Sequence, residues 1–311
     1  MPRALVTGGA GFIGSHLVEG LLAKGYEVRV LDNFATGYRN NIKHLTDRIE
    51  LLEGDVCNLT TVRFAMKKID VVFHQAALPS VPRSVKNPLE SNEVNIAGTL
   101  NVFLSARDEG IKRVVYASSS SVYGNTATLP KIETMTPDPL SPYAIAKLTG
   151  ELYAKVFNQL YGLSTIGLRY FNVFGPRQDP TTQYAGAIAK FISCALEGKP
   201  YPVFGDGEQT RDFTYVANVV DANIRAGEAP FDGAPVVNIA YGERTSLNQI
   251  LDMLNELTGQ NLAAQYGPER VGDVRHSHAS LDAAKKYIGY QPQVNTLEGL
   301  RQTLEWYRKN P

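Results

Sequence analysis

Between the apolar run Ala4-Leu5-Val6-Thr7 and the first helical pattern lies Thr7-Gly8-Gly9-Ala10-Gly11-Phe12-Ile13-Gly14, a Gly-x-x-Gly-x-x-Gly spacing. Glycine at Gly8, Gly11 and Gly14 permits a tight strand-to-helix turn that a ligand can approach at its backbone. A turn of this kind belongs to a βαβ unit, which restricts the chain to an α/β fold. The rest of the first half keeps that rhythm. Val28–Asp32, Ile49–Leu52, Val71–His74 and Arg113–Ala117 are short, almost continuously apolar runs separated by helical patterns, as expected of parallel strands covered on both faces. Pro88 to Glu109 reads as one long helix, and Ser141-Pro142 is an N-cap and first-turn pair opening another that runs to about Leu160. A strand follows at Thr165–Phe171.

Beyond Asn172 the rhythm degrades. Gly175-Pro176, Asp179-Pro180 and Gly205-Asp206-Gly207 interrupt it, between a helix at about Tyr184–Glu197 and a strand around Val203. Helices are expected near Val216–Ala226, Ser246–Thr258, Leu281–Ile288 and Thr296–Lys309, with Val236–Ala240 returning to the main sheet. The expected fold is therefore a Rossmann-type doubly wound parallel sheet with a smaller, mixed α/β carboxy-terminal lobe. Residues 1–172, with a return segment at about 213–241, form the first part; 173–212 and 242–311 form the lobe.

A chain of 311 residues with 43% apolar content can fill a sizeable core. Its 31 basic and 31 acidic residues cancel, so no global field draws it to nucleic acid or an anionic membrane. No apolar stretch approaches the ~20 residues of a membrane span, and Met1-Pro2-Arg3 leads into a strand without a signal-type segment. A cytoplasmic location is expected. Cys57 and Cys194 read as buried small apolar residues rather than a disulfide. His276-Ser277-His278 has no third ligand nearby, so no metal is expected.

The glycine turn and Asp32 together point to a dinucleotide. Gly8 to Gly14 would set a pyrophosphate on the helix N-terminus, and the Asp32 carboxylate, at the end of the second strand, would accept the adenosine ribose hydroxyls. A 2′-phosphate would be repelled there, which favours NAD over NADP despite Arg39 nearby. Asp55 and Val56, after the third strand, are placed to meet the adenine edge.

Tyr143-Ala144-Ile145-Ala146-Lys147 follows the serine run Ser118 to Ser121. Four residues apart on a helix, Tyr143 and Lys147 share a face, with Cβ atoms ~5–6 Å apart. Tyrosine ionises near ~10, and a fixed cation beside it is expected to lower that value towards use as a general base.

The glycine loop, the Ser119 region and Tyr143-x-x-x-Lys147, in this order, resemble the extended short-chain dehydrogenase/reductase superfamily over essentially the whole chain. His74-Gln75-Ala76-Ala77, Ser118 to Gly124, Arg169 to Pro176 and Arg211-Asp212-Phe213 are similar to nucleotide-sugar epimerases. The resemblance implies that Tyr143 takes the sugar 4-hydroxyl proton, that Lys147 holds the nicotinamide ribose and lowers the tyrosine pKa, and that Ser119 bridges hydroxyl and phenol. It also places Phe12, Ile13, Asn33, Ala76, Ala77, Asn95 and Tyr170 at the cofactor. Tyr170 and Phe171 read otherwise as core, as does Trp306. Asn95 heads the family's Asn-x-x-Gly-Thr pattern but reads equally as a helix-surface residue, and His74 as structural. For the substrate the resemblance implies Ser80, Arg83, Ser119, Ser120, Asn172 and Val203, with Arg211 and Arg270 on the diphosphate and Asp273 on the uridine ribose. Ser80 and Arg83 read equally as ordinary loop polars.

Sugar dehydratases of the superfamily carry Thr-Asp-Glu where this chain has Ser119-Ser120-Ser121. Elimination is therefore not expected, and reversible oxidation at C4 through a transient 4-keto sugar is. A position four residues after the aspartate of a Gly-Asp pair gates sugar size in such epimerases, and here it is Ser277. Together with Pro79 to Ser84 and Gly272 to Ser277, the small gate resembles bacterial UDP-N-acetylglucosamine 4-epimerases of O-antigen polysaccharide pathways. UDP-glucose and UDP-galactose would be weaker substrates. A UDP-glucuronate epimerase or decarboxylase using Arg83, and a non-catalytic dinucleotide sensor, are the alternatives. The resemblance also implies a homodimer, in which the helices around 88–109 and 141–160 bundle with their mates.

Overall fold

The computed structural model describes residues 1–181, 186–269 and 274–310. Arg3–Thr7 (β1), Glu27–Asp32 (β2), Ile49–Glu53 (β3), Val71–His74 (β4), Arg113–Ser119 (β5), Thr165–Tyr170 (β6) and, from far along the chain, Val236–Ile239 (β11) form one sheet. Its strand order is β11-β6-β5-β4-β1-β2-β3 and every pair is parallel. The Rossmann-type sheet with its returning strand is therefore present, and Phe12–Ala23 (α1) follows the glycine turn as expected.

Helices cover both faces. On one side α1 packs against Val216–Glu228 (α8), where Leu17, Val18 and Leu21 meet Val219 and Ala222. On the other lie Leu59–Met66 (α2), Thr99–Asp108 (α5) and Pro142–Tyr161 (α6), with Val62, Phe103 and Phe157 in the interior. A strand buried on both faces must be apolar at consecutive positions, which explains the near-continuous apolar runs.

The stretch read as one helix from Pro88 to Glu109 is three pieces: Pro88–Asn92 (α4), a π-helical turn over Glu93–Gly98, and α5. A π turn carries an extra residue and so rotates the helix downstream of it. Asn95 lies in it and is 97% buried, not a surface residue. Val81–Lys86 (α3) precedes, capped by Ser80, whose Oγ accepts from the Arg83 amide at 3.2 Å.

The remaining elements surround a second interior built from Phe174, Ile188, Phe191, Tyr201, Ile250 and Leu300, among others. They comprise Val173–Phe174 (β7), Ala187–Glu197 (α7), Tyr201–Phe204 (β8), Thr210–Arg211 (β9), Thr214–Tyr215 (β10), Thr245–Ser246 (β12), Leu247–Thr258 (α9), Ala264–Gly267 (β13), Asp282–Ile288 (α10) and Thr296–Lys309 (α11). Three small ladders connect them: β7 with β10 and β8 with β13 in parallel, β9 with β12 antiparallel. Trp306 is half-buried at the margin of this interior rather than within it. Cys57 and Cys194 are also only half-buried; burial still pushes the Cys57 thiol up to about 12.

No helix among the described residues is long and apolar enough to cross a membrane.

Candidate active site

The site follows the carboxyl ends of the parallel strands, where α/β sheets present their ligand crevices. After β1 the chain turns at Gly8 with φ +69°, a left-handed conformation suited to glycine. A Cβ on Gly8 would lie 2.6 Å from the Ala76 nitrogen, and one on Gly14 2.0 Å from the Gly8 carbonyl oxygen. The turn thus tolerates no side chain at either position, and α1 starts directly from it with Phe12 and Ile13. Its N-cap, Gly11, supplies no side-chain partner for the first amides. The result is a bare backbone cradle on a helix N-terminus, the chemistry a dinucleotide pyrophosphate requires.

Asp32 closes this cradle from β2. Its Oδ2 accepts from the Ala10 amide and its Oδ1 from the Phe34 amide, both at 2.8 Å. Burial raises its pKa, opposed by those two bonds. Each oxygen keeps a second acceptor site for a ribose hydroxyl. Arg39 is engaged elsewhere, 2.5 Å from Glu53 and 4.0 Å over the Phe34 ring. Asn33 donates to Asp55 at 2.7 Å, and Asp55 accepts from the Cys57 amide, so the adenine-side loop is internally braced. Val56 is buried against Gly98, and its carbonyl accepts from Asn101; its side chain is part of the core.

Following β4, the Ala76 amide donates to Thr7 Oγ1 at 3.3 Å, with Ala77 next to it. His74 is spanned by Thr7 and Thr99 hydroxyls at 2.7 and 3.0 Å, and burial lowers its pKa to about 3, so it remains neutral. This is the structural histidine expected. Asn95 uses its whole amide on its surroundings: Oδ1 accepts from Leu78 N at 2.8 Å, and Nδ2 donates to Leu78 O and Ser91. It braces the loop after β4. The Tyr170 hydroxyl is buried in a network with Gln75 and Asn223.

The reactive trio gathers where β5 ends beside α6. Lys147 donates to the Ala117 carbonyl at 2.8 Å, and its Nζ lies 5.7 Å from the Tyr143 ring centre. Ser119 Oγ accepts from the Ser121 amide at 3.1 Å and lies near enough to the Tyr143 phenol to favour its ionisation. Of the serine run, Ser119 is thus the one turned to the tyrosine; Ser120 opens the short turn Ser120–Tyr123. Burial raises the Tyr143 pKa, and Ser119 only partly offsets it. This differs from the lowering expected of Lys147. Burial acts on the lysine too, bringing it down to about 8. Removing two polar groups from water outweighs their mutual attraction at this separation.

One turn beyond Lys147, Glu151 accepts from Ser118 Oγ at 2.6 Å and from Arg169 at 2.9 and 2.7 Å, all buried. At the other end of α6 the Tyr143 amide donates to Ser84 Oγ at 3.1 Å. The catalytic helix is therefore pinned at three successive turns to α3, β5 and β6. Sequence reading missed Ser84, Glu151 and Arg169; the i, i+4, i+8 spacing of Tyr143, Lys147 and Glu151 was the available signal.

Past the end of β6, whose last residue Tyr170 pairs in register with Ser119 of β5, Asn172 stands with φ +36°. Its Nδ2 donates to Asp212 O at 3.0 Å and to Ser277 Oγ at 3.2 Å, joining two predicted substrate residues across 105 positions. Asp212 is fully buried, and burial raises its carboxyl to about 6. A cleft of about 520 Å³ opens beside Asn172, with Arg211, Phe204, Lys190, Gln209 and Phe213 in its walls. Arg211 Nη1 donates to the Thr210 and Arg275 carbonyls, so the guanidinium head is held at the rim. Val203 does not line this cleft. Alternation along β8 turns its neighbours Pro202 and Phe204 to the cleft and Val203 into the core.

The two loop candidates are also committed elsewhere: Ser80 caps α3, and Arg83 pairs with Glu90 at 3.0 Å. His276 Nδ1 meets Thr210 Oγ1 at 2.9 Å and His278 Nε2 meets Gly242 O at 3.1 Å. Arg270 and Asp273 lie outside the described residues.

The NAD dependent epimerase/dehydratase family matches residues 4–240. The chain belongs to that family. It is 39% identical over 310 residues to the UDP-glucose 4-epimerase of Mycolicibacterium smegmatis, covering 98% of each chain. To the UDP-glucuronate 4-epimerase of Thermodesulfobacterium geofontis it is 34% identical over 316 residues, covering 98% of this chain and 96% of the other. The solved UDP-N-acetylglucosamine 4-epimerase of Methanobrevibacter ruminantium, in complex with UDP-N-acetylmuramic acid, superposes with a TM-score of 0.96 at 38% identity, covering 100% of this chain and 99% of that one. The family is NAD-dependent, and the bare cradle and Asp32 fit that cofactor.

Proposed function

We propose that this chain interconverts UDP-N-acetylglucosamine and UDP-N-acetylgalactosamine by epimerisation at C4. What supports the reading is the pair formed by Asn172 and Ser277: a serine rather than a bulky ring occupies the position read as the sugar gate, and it is hydrogen-bonded to Asn172. A small gate leaves volume for a 2-acetamido group, and a plain hexose would bind there with only a modest loss.

In this reading Tyr143 takes the 4-hydroxyl proton and later returns it, Ser119 orients that hydroxyl beside the phenol, and the charged Lys147 steadies the phenolate as it forms. Gly8, Gly11, Phe12, Ile13 and Gly14 hold the pyrophosphate and Asp32 the ribose. When bound, NAD supplies reversible hydride acceptance, so that C4 becomes a ketone and then a carbinol again. Arg211, Arg270 and Asp273 grip the nucleotide, with the cofactor part at 1–172 and 213–241 and the substrate lobe at 173–212 and 242–311. Buried Asn95 and Tyr170 support loops around the cofactor. Ser80 supports α3.

UDP-glucose and UDP-glucuronate are the competing sugars, given the relatives' names. The engagement of Arg83 with Glu90 speaks against its use as a carboxylate clamp. Incubation of the purified chain with UDP-N-acetylglucosamine should yield UDP-N-acetylgalactosamine on chromatographic separation; turnover of only another UDP-sugar would overturn the assignment. We also propose a homodimer. Ile145, Leu152, Val156 and Leu160 form an exposed apolar stripe along α6, which a second copy would cover. A monomer mass at every concentration in light scattering would reject it.

A further inference from the structure

Asp212 belongs to the family-like stretch Arg211-Asp212-Phe213, yet its carboxylate does not reach towards a ligand. It is fully buried and accepts three backbone amides: Tyr241 and Gly242 on Oδ1, each at 3.0 Å, and Ala279 on Oδ2 at 3.1 Å. Its main chain is equally engaged. The Asp212 carbonyl accepts from Asn172 Nδ2, and its amide donates to Ser277 Oγ at 3.4 Å. One residue therefore binds the exit of β6, the turn after β11 and the segment carrying Ser277. A buried carboxylate is costly unless such donors compensate it. Here the compensation comes from backbone groups whose positions are fixed in return.

Around it, the segment of Ser277 is also tied to β9, through Thr210, to Gly242 and to Lys131. The Ser277 amide donates to Thr210 O at 3.0 Å, and Lys131 exchanges backbone bonds with His278 and Ser280. Of these ties, the ones from Asp212, to the Ala279 amide and to Ser277 Oγ, are made by the residue that also holds Asn172. Asn172 itself adopts a left-handed backbone, which persists only where its surroundings impose it.

We propose that Asp212 is the positioning residue for the hexose: it sets where the Asn172 and Ser277 pair stands, and so how tightly the sugar, as distinct from the nucleotide, is held. This rests on the reading of Asn172 and Ser277 as sugar contacts. Asp212→Asn isolates the effect. Its remaining oxygen can still accept from Tyr241 and Gly242, while its amide nitrogen meets the Ala279 amide donor to donor, so the side-chain tie to Ala279 is the one broken.

Titration calorimetry on the NAD-loaded protein tests this. Asp212→Asn should weaken UDP-N-acetylglucosamine about tenfold while changing the Kd of UDP itself less than about threefold, because constellations displaced by even a fraction of an ångström lose their contacts. General disruption of the fold would weaken both ligands alike, and that outcome, or no change in either, overturns the proposal. Should Asp212→Asn fail to fold, Asn172→Ala and Ser277→Ala are expected to show the same split between sugar nucleotide and UDP at smaller size; unchanged affinities in both would equally overturn it. If the wild-type chain prefers UDP-glucose or UDP-glucuronate, and the Asp212→Asn loss falls on that sugar, the positioning role stands and only the N-acetyl assignment fails.

Discussion

Among the residues proposed for cofactor and catalysis, Gly8, Asp32, His74, Ser119 and Tyr170 stand at or just past the ends of parallel strands, and Tyr143 and Lys147 follow on one helix. Among those proposed for the sugar, Asn172, Asp212 and Ser277 come from separate segments and meet through side-chain and backbone bonds. The first half inherits its geometry from sheet register, which cannot shift by one residue without turning every side chain over. The second half depends on a few long-range bonds outside that sheet. On the proposed reading, chemistry is placed by the fold as a whole, and sugar choice by contacts that a small number of substitutions can change.

The contrast breaks most sharply at Tyr143. Tyr143→Phe should lower kcat by ~10²–10⁴-fold, the contribution typical of a positioned acid or base, with the affinities for NAD and UDP-sugar retained in calorimetry. Near-normal turnover would remove Tyr143 from the mechanism. On the other side, Ser277→Tyr should leave turnover of plain hexoses in place and depress N-acetylated substrates relative to them by ~10–200-fold, the range a hydrophobic-volume mismatch commands. A fall in both alike would return Ser277 to a purely structural role.

A smaller effect sharpens the first half. Because burial brings Lys147 down to about 8, the cation beside Tyr143 is lost as pH rises through that value. Activity should then decline by about tenfold per unit above it. The lysine's contribution to stability moves the other way. Between about 8 and the ordinary lysine value of 10.5 the unfolded chain binds the proton and the folded chain does not, so stability rises with pH across that window. Rate and thermal-melt profiles that fall together would contradict this.

The strands of the main sheet are readable because burial on both faces imposes uninterrupted apolar runs, and the glycine turn because a Cβ has nowhere to go. The two-residue strands β7, β9, β10 and β12 are not, since such short ladders leave no period in the sequence. Asn95 reads as surface on an ideal helix; the π turn that buries it has no sequence mark. Val203 is misplaced by a reading that locates the strand without its facing, which only the packing of β8 decides. The spacing of Lys147 suggests that it governs the tyrosine, but desolvation of both groups is a property of the enclosed site and not of their spacing.

The twenty residues of α6 bear on more than the proton they handle. Their inner line, Tyr143, Lys147 and Glu151, is tied at three levels to α3 and the sheet, while their outer line, Ile145, Leu152, Val156 and Leu160, is apolar and open. Were that outer line covered by a second copy, the reacting centre and the subunit seam would be opposite sides of one rod, about 30 Å long by its rise per residue. Dilution or heating that parts the subunits would then register first as lost turnover, before any strand of the sheet had given way.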